Sequence, residues 1–252
     1  MDMKQKLKFA VGRSKITTAN FILRKRVKRF DFTIVSVDCW GSSIYQDLRI
    51  PYNTPFVGLF FYAPCFLKLL GSFEKYMRSD LSFTDISRYP EANQSRDKSS
   101  NYYPIGKLGD DVEVHFLHYK DEGTARKKWF SRRERMNMNN LFVEFSDRNL
   151  CEKSHLLEFD RLGFRNKVVF TAQYHPEVKS SVWLNEYISE QYIKNIYVNR
   201  AIYKRHFDVA DWLNGGSGRV NSFLKILNNV LEEEEWWKFV DTETLKRFKL
   251  TE

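Results

Sequence analysis

The chain has 252 residues, 42% of them hydrophobic and 16% aromatic; this is enough for one sizeable core and excludes a disordered or collagen-like protein. The net charge of +9 invites anionic partners, but Met1–Phe30 alone carries ten Lys and Arg against Asp2. The remainder is close to neutral, which excludes a fold-wide nucleic-acid surface.

Three cysteines without a Cys-x-x-Cys pair exclude a disulfide framework or a structural zinc site and fit a reducing cytoplasm. No metal site is expected. No apolar run reaches the roughly 18 residues of a membrane span. The start of the chain has no apolar block with a small-residue cleavage site, so no signal peptide is read.

Met1–Phe30 reads as a basic helical arm that Phe21, Ile22 and Leu23 could dock on the body; the ordinary reading of such a charge run is a solvated helix, and the alternative is contact with an anionic membrane surface. Phe32–Val37 is β-branched and aromatic without polar alternation, the pattern of a buried parallel strand. Asp38–Ser43 is a turn and Ile44–Leu48 a short helix. Pro55–Phe61 reads as a second apolar strand. Pro64 opens a helix to Met77 with Phe66, Leu69, Leu70 and Phe73 on one face.

Ser87–Gly109 is polar and rich in Pro, Gly, Ser and Asn, and reads as a long lid or binding loop. Val112–Tyr119 is a third strand, Asp121–Met138 a strongly basic helix and Leu141–Phe145 a fourth strand. Glu152–Leu162 is a helix stopped at Gly163, and Lys167–Thr171 a fifth strand. From Val182 the pattern changes and turns helical over Tyr203–Leu213, Val220–Leu231 and Glu233–Phe239. The expected fold is α/β: a mainly parallel sheet flanked by helices. The expected division is an arm (1–30) and one domain (31–252) with a sheet core (31–175) and a helical cap (176–252).

Three segments bear chemistry. Cys39 follows a strand and precedes a helix, so the dipole favours its thiolate, and backbone N–H groups near Gly41, Ser42 and Ser43 face an anion or oxyanion; the plain alternative is a small buried residue in a turn. On the third strand His115 and His118 are three apart and face opposite sides, so they do not pair on a metal. His118, nearer the strand's end, is the candidate general base, with Asp38 or Asp111 to orient it; the equal alternative is a hydrogen-bonded core histidine. Arg132 and Arg133 on the basic helix have the chemistry to hold phosphate, against the alternative of a solvated face. No glycine-rich nucleotide fingerprint is present.

Several of these segments, in order, resemble a bacterial family known as a conserved domain of unknown function in exopolysaccharide and capsule proteins. They are Ile34–Gly41, Ile44–Leu48, Pro51–Phe60, Tyr103–Gly106, Glu113–Tyr119 and Trp129–Val143. Where that family has Asn and a second Gly, this chain has Asp38 and Ser42. The resemblance implies a surface-polysaccharide pathway, and the strand–Cys–helix start is similar in layout to capsule acetyltransferases.

The expectation is therefore a transferase moving an acyl group onto a sugar hydroxyl. Cys39, His118, Asp38 and Asp111 would be catalytic. Trp40, Gly41, Ser42, Asn53, His115, Tyr119, Arg132 and Arg133 would bind substrate. The partner would be a polysaccharide or activated sugar precursor. No tightly bound cofactor is expected; the donor would be acyl-coenzyme A or, in a glycosyltransferase, a nucleotide-sugar. A third reading is a non-enzymatic assembly factor. The location would be cytoplasmic, at the inner face of the membrane.

Overall fold

The computed structural model describes residues 17–96, 102–194, 196, 200–221 and 224. The chain divides into two compact units. Among the described residues, the larger is built from those in 31–46 and 50–194, and the smaller from those up to 30, from 47–49 and from those after 194.

The larger unit holds two sheets. In the first, β1 (Thr33–Ser36), β5 (Leu141–Ser146), β6 (Asn166–Thr171) and β7 (Ser181–Trp183) lie in the order β1-β5-β6-β7, all parallel. β1 is buried at every residue, as a strand covered on both faces must be. One face is covered by α2 (Trp40–Leu48), which sets the Trp40 ring on Phe170 and the Tyr45 ring on Phe32. The other is covered by α3 (Ala63–Gly71) and α7 (Lys153–Arg161), through Phe66 and Phe159 against Phe145. The result is the α/β sandwich expected from the sequence, with the core between sheet and helices.

The second sheet, β2 (Leu81–Thr84), β3 (Ile105–Leu108) and β4 (Val112–His115), is antiparallel. Two neighbouring residues link the sheets. Phe60 exchanges both backbone hydrogen bonds with His115, while the Phe61 N–H donates to the Val37 carbonyl at 3.0 Å.

Several elements differ from the sequence reading. Pro55–Phe61 is not a strand: it touches a sheet only at this bridge, and Gly58 turns the chain at φ +68°. The helix expected to Met77 breaks at Ser72 into α3 and α4 (Phe73–Arg78). The expected loop 87–109 contains α5 (Pro90–Arg96) and β3, with residues 97–101 outside the description. The basic helix is α6 (Glu122–Arg133), begun by Asp121, whose carboxylate accepts the Thr124 N–H at 2.6 Å. α7 ends where Lys167 donates to the Asp160 and Leu162 carbonyls, so a cation meets the helix's negative end.

In the smaller unit, residues 17–26 form α1. It is held by polar contacts: Asn20 donates to Asp47 at 3.1 Å, Arg24 to the Leu48 carbonyl, and Arg26 pairs with Asp208. Phe21, expected to dock the arm, is 60% exposed. The helix expected over 203–213 is two, α8 (Arg200–His206) and α9 (Val209–Leu213), because Asp208 caps a new start through the Ala210 and Asp211 N–H groups. The expected arm before residue 17 lies outside the described residues, as do the helices over 220–231 and 233–239 except at 220, 221 and 224. No helix among the described residues is long and apolar enough to cross a membrane.

Candidate functional site

Parallel strands end together, so their carboxyl ends gather whatever the chain places after them. Here β1 leads into Asp38 and Cys39, and β5 into Asp147 and Arg148. Below them, the register sets Ser36 beside Glu144. The Ser36 hydroxyl donates to Glu144 Oε2 at 2.5 Å and accepts the Gly41 N–H at 3.1 Å. Asp38 Oδ1 accepts the Trp40 N–H at 2.9 Å, and its Oδ2 lies 3.6 Å from Arg148 Nη1.

Both carboxyls are buried, Glu144 completely and Asp38 to 4% exposure. Glu144 Oε1, Asp38 Oδ2, Ser146 Oγ and Arg148 Nε have no hydrogen-bond partner among the described residues. Burial, and the Asp38 charge beside it, push the Glu144 carboxyl well above the ordinary carboxylate range. Burial also raises Asp38, against the opposing Arg148 and the Trp40 N–H. Two acids thus face one guanidinium, and the pair retains a proton to a higher pH than either acid would in water.

The backbone beyond Arg148 is constrained. Asn149 and Leu150 take left-handed angles, φ +54° and +63°, each costing roughly 1–2 kcal/mol for a non-glycine residue. Asn149 is anchored by its Nδ2 donating to the Phe61 carbonyl at 3.1 Å and by its own carbonyl accepting the Ala63 N–H. Such strain collects at sites that must hold a side chain in place.

Cys39 sits half-buried before the first turn of α2, as its sequence position suggested. The N–H groups of Trp40 and Gly41 are given to Asp38 and Ser36, however, so the expected oxyanion donors at Gly41 are already occupied. Gly41 has a packing role: a Cβ there would lie 2.7 Å from Ser36 Cβ and 2.9 Å from Ile34 Cγ2. Ser42 donates to the Cys39 carbonyl at 2.8 Å. Trp40 is fully buried and presents nothing to solvent.

Tyr119 lies within electrostatic reach of Cys39, and burial raises its phenol. It donates to the Val57 carbonyl at 2.7 Å and accepts from Arg132 Nη1 at 2.6 Å. The Arg132 guanidinium also stacks on Tyr52. Arg133 donates to the Ser79 carbonyl and lies over Phe130. Both guanidinium groups therefore brace the fold.

His118 is exposed in the turn after β4, where its backbone N–H donates to the Gly58 carbonyl and its side chain lies over Gly58. Asp111 is at the opposite end of β4, tied to Lys68 at 2.7 Å and Tyr76 at 3.0 Å, and so does not orient His118. His115 is fully buried among Phe60, Tyr62, Tyr89 and Tyr103. Asn53 meets the start of β1, where its carbonyl accepts from Thr33, away from Cys39.

Of the proposed set, the fold brings Asp38, Cys39, Gly41 and Ser42 to one sheet edge, and Tyr119 with Arg132 within electrostatic reach. Glu144 and Arg148 were not anticipated. The available signal was Glu144 itself, a charge inside an otherwise apolar buried strand.

A family model described as "Domain of unknown function (DUF1919)" matches residues 11–214. The chain is also 32% identical over 218 residues to a Haemophilus influenzae protein described as "Uncharacterized protein"; the match covers 85% of this chain and 99% of that relative.

Proposed function

The chain belongs to the DUF1919 family, and from that premise we propose that it is a transferase of surface-polysaccharide assembly, moving an acyl group onto a sugar hydroxyl at the carboxyl edge of the parallel sheet. The observation that carries this reading is the Asp38–Glu144 pair: two buried carboxyls, one guanidinium and oxygens without hydrogen-bond partners. A general base for a hydroxyl needs a raised pKa, and a buried acid pair supplies one. As structural elements alone, such partnerless oxygens would be a net cost.

In this reading the Cys39 thiolate attacks the thioester carbonyl of an acyl-coenzyme A donor, and the coenzyme leaves as its thiolate, which takes from solvent the proton that Asp38 returns to solvent after the second step. The acceptor hydroxyl then attacks the acyl-cysteine, its proton passes to Asp38, and the Cys39 thiolate departs. Glu144 shares the proton with Asp38, and Arg148 offsets the charge. The oxyanion is met by a donor other than the Trp40 and Gly41 N–H groups; Arg148, 20% exposed, is the cation at hand. The basic residues of the first 30 support a location at the inner face of the membrane, in the cytoplasm.

The test is intact-mass spectrometry after incubation with acetyl-coenzyme A. The wild type should carry one acetyl group, Cys39→Ala none, and Asp38→Asn should hold its acetyl group without passing it to added oligosaccharide. Absence of the adduct in every form, with thermal stabilisation by nucleotide diphosphates alone, would replace acyl by glycosyl transfer.

A further inference from the structure

Large apolar side chains cluster on the surface just beyond the ends of β6 and β7. Tyr174 is 66% exposed, Ile188 61% and Tyr192 43%. Gln173 gathers them: its Nε2 donates to the Ile188 carbonyl at 3.1 Å and to the Glu190 carbonyl at 2.9 Å. The Trp183 ring stands 5.4 Å from Tyr174, and its indole N–H is fixed on the Ala172 carbonyl at 3.1 Å. The Trp183 ring is thus held in place beside the exposed ring of Tyr174.

The backbone on both sides of the patch is tied to the carboxyl end of β5. Asp147, the neighbour of Arg148, accepts the N–H of Ala172 at 2.6 Å and of Ile193 at 2.8 Å, tying both flanks of the patch to the end of β5. Two lysines that flank it are paired with carboxylates, Lys153 with Glu177 at 2.7 Å and Lys194 with Glu190 at 2.6 Å. A nucleotide's phosphates would have to compete with these carboxylates for both lysines. An uncharged ring with an apolar C–H face has no such requirement, and an aromatic surface matches it.

We propose that Tyr174, Trp183, Ile188 and Tyr192 form a platform on which a pyranose ring of the acceptor glycan stacks, beside the acid pair that deprotonates its hydroxyl. The platform deepens the acyl-transfer reading and rests on it for the identity of the acceptor, but sugar binding is measurable without donor or turnover.

The experiment is saturation-transfer NMR on the full chain with the methyl glycosides of glucose, galactose, mannose and N-acetylglucosamine and with their oligomers, followed by titration of the strongest binder. Transfer to ring protons is expected, with binding weakened about tenfold by Tyr174→Ala and again by Tyr192→Ala. Cys39→Ala should bind sugar like the wild type while making no product. Absence of transfer to every sugar, or binding unchanged in both tyrosine variants, overturns the platform. Transfer to UDP that Tyr174→Ala abolishes makes it a nucleobase shelf, and self-association that Tyr174→Ala abolishes makes it a protein interface; either result also overturns it. If sugar binds as described but no acyl group moves, the transferase reading fails and the platform stands.

Discussion

Gly41→Ala tests how tightly α2 is seated on β1. The new methyl group would sit 2.7 Å from Ser36 Cβ, an atom fixed by its strand, and 2.9 Å from Ile34 Cγ2. To reach ordinary contact, the first turn of α2 must lift by roughly 0.7 Å, since overlap of this kind is relieved by backbone shift. The 3.1 Å bond from the Gly41 N–H to Ser36 would then exceed hydrogen-bond range. Overpacking costs about 1–3 kcal/mol and the lost bond about 1 kcal/mol, while alanine returns up to about 1 kcal/mol of helix propensity. The net loss is about 1–3 kcal/mol, or a fall in Tm of roughly 4–8 °C at its midpoint for a chain of this size. Thermal melts by circular dichroism would read it. Gly163→Ala is the control, since a Cβ there meets nothing within 4 Å. A Gly41→Ala protein that melts with the wild type would refute the close approach.

Glu144→Gln should stabilise the protein at neutral pH. The folded-state pKa of Glu144 is raised, so ionising it costs the native state stability as pH climbs above the unfolded carboxylate range; the variant's advantage should therefore fade towards acid pH in denaturant titrations. An advantage that does not vary with pH would contradict the buried charge. His115 is held neutral, its pKa lowered to about 3 mainly by burial, so the wild type loses stability as pH falls from 6.5 towards about 3. His115→Phe should move the acid-unfolding midpoint lower, read by tryptophan fluorescence; an unmoved midpoint would show that the histidine does not drive acid unfolding. Lys167→Met removes the cation and both carbonyl bonds at the end of α7, and should cost about 1–2 kcal/mol in urea denaturation. No measurable loss would mean that solvent serves those carbonyls equally well.

The strands of the parallel sheet were legible because full burial leaves an uninterrupted apolar run, as in Phe32–Val37 and Lys167–Thr171. Pro55–Phe61 has the same composition without the ladder: its apolar residues point into the core from an irregular segment turned at Gly58, and composition does not distinguish the two. β2 and β7 are short and only partly buried, so neither carries a strong period. The site was half legible. Asp38 and Cys39 announce themselves by following a buried strand. Their partners depend on register across β1 and β5, which no local pattern encodes. His118 looked like a base because β4 seemed to run on to Tyr119; the strand stops at His115, and the turn carries His118 out to solvent.

The bond from Ser36 to Glu144 joins residues 108 apart in the chain. On a ribosome making about 5–20 residues per second, β1 therefore emerges roughly 5–20 seconds before the strand that completes its ladder. Over that interval Phe32–Val37 is a bare, β-prone segment of the kind that recruits chaperones or other nascent chains. It is bracketed by Lys28, Arg29 and Asp31 on one side and Asp38 on the other, charges that repel such partners. Asp38 thus guards the nascent strand long before it is sealed beside Glu144, and replacing it should lower the soluble yield of newly made protein even where the finished fold tolerates the change.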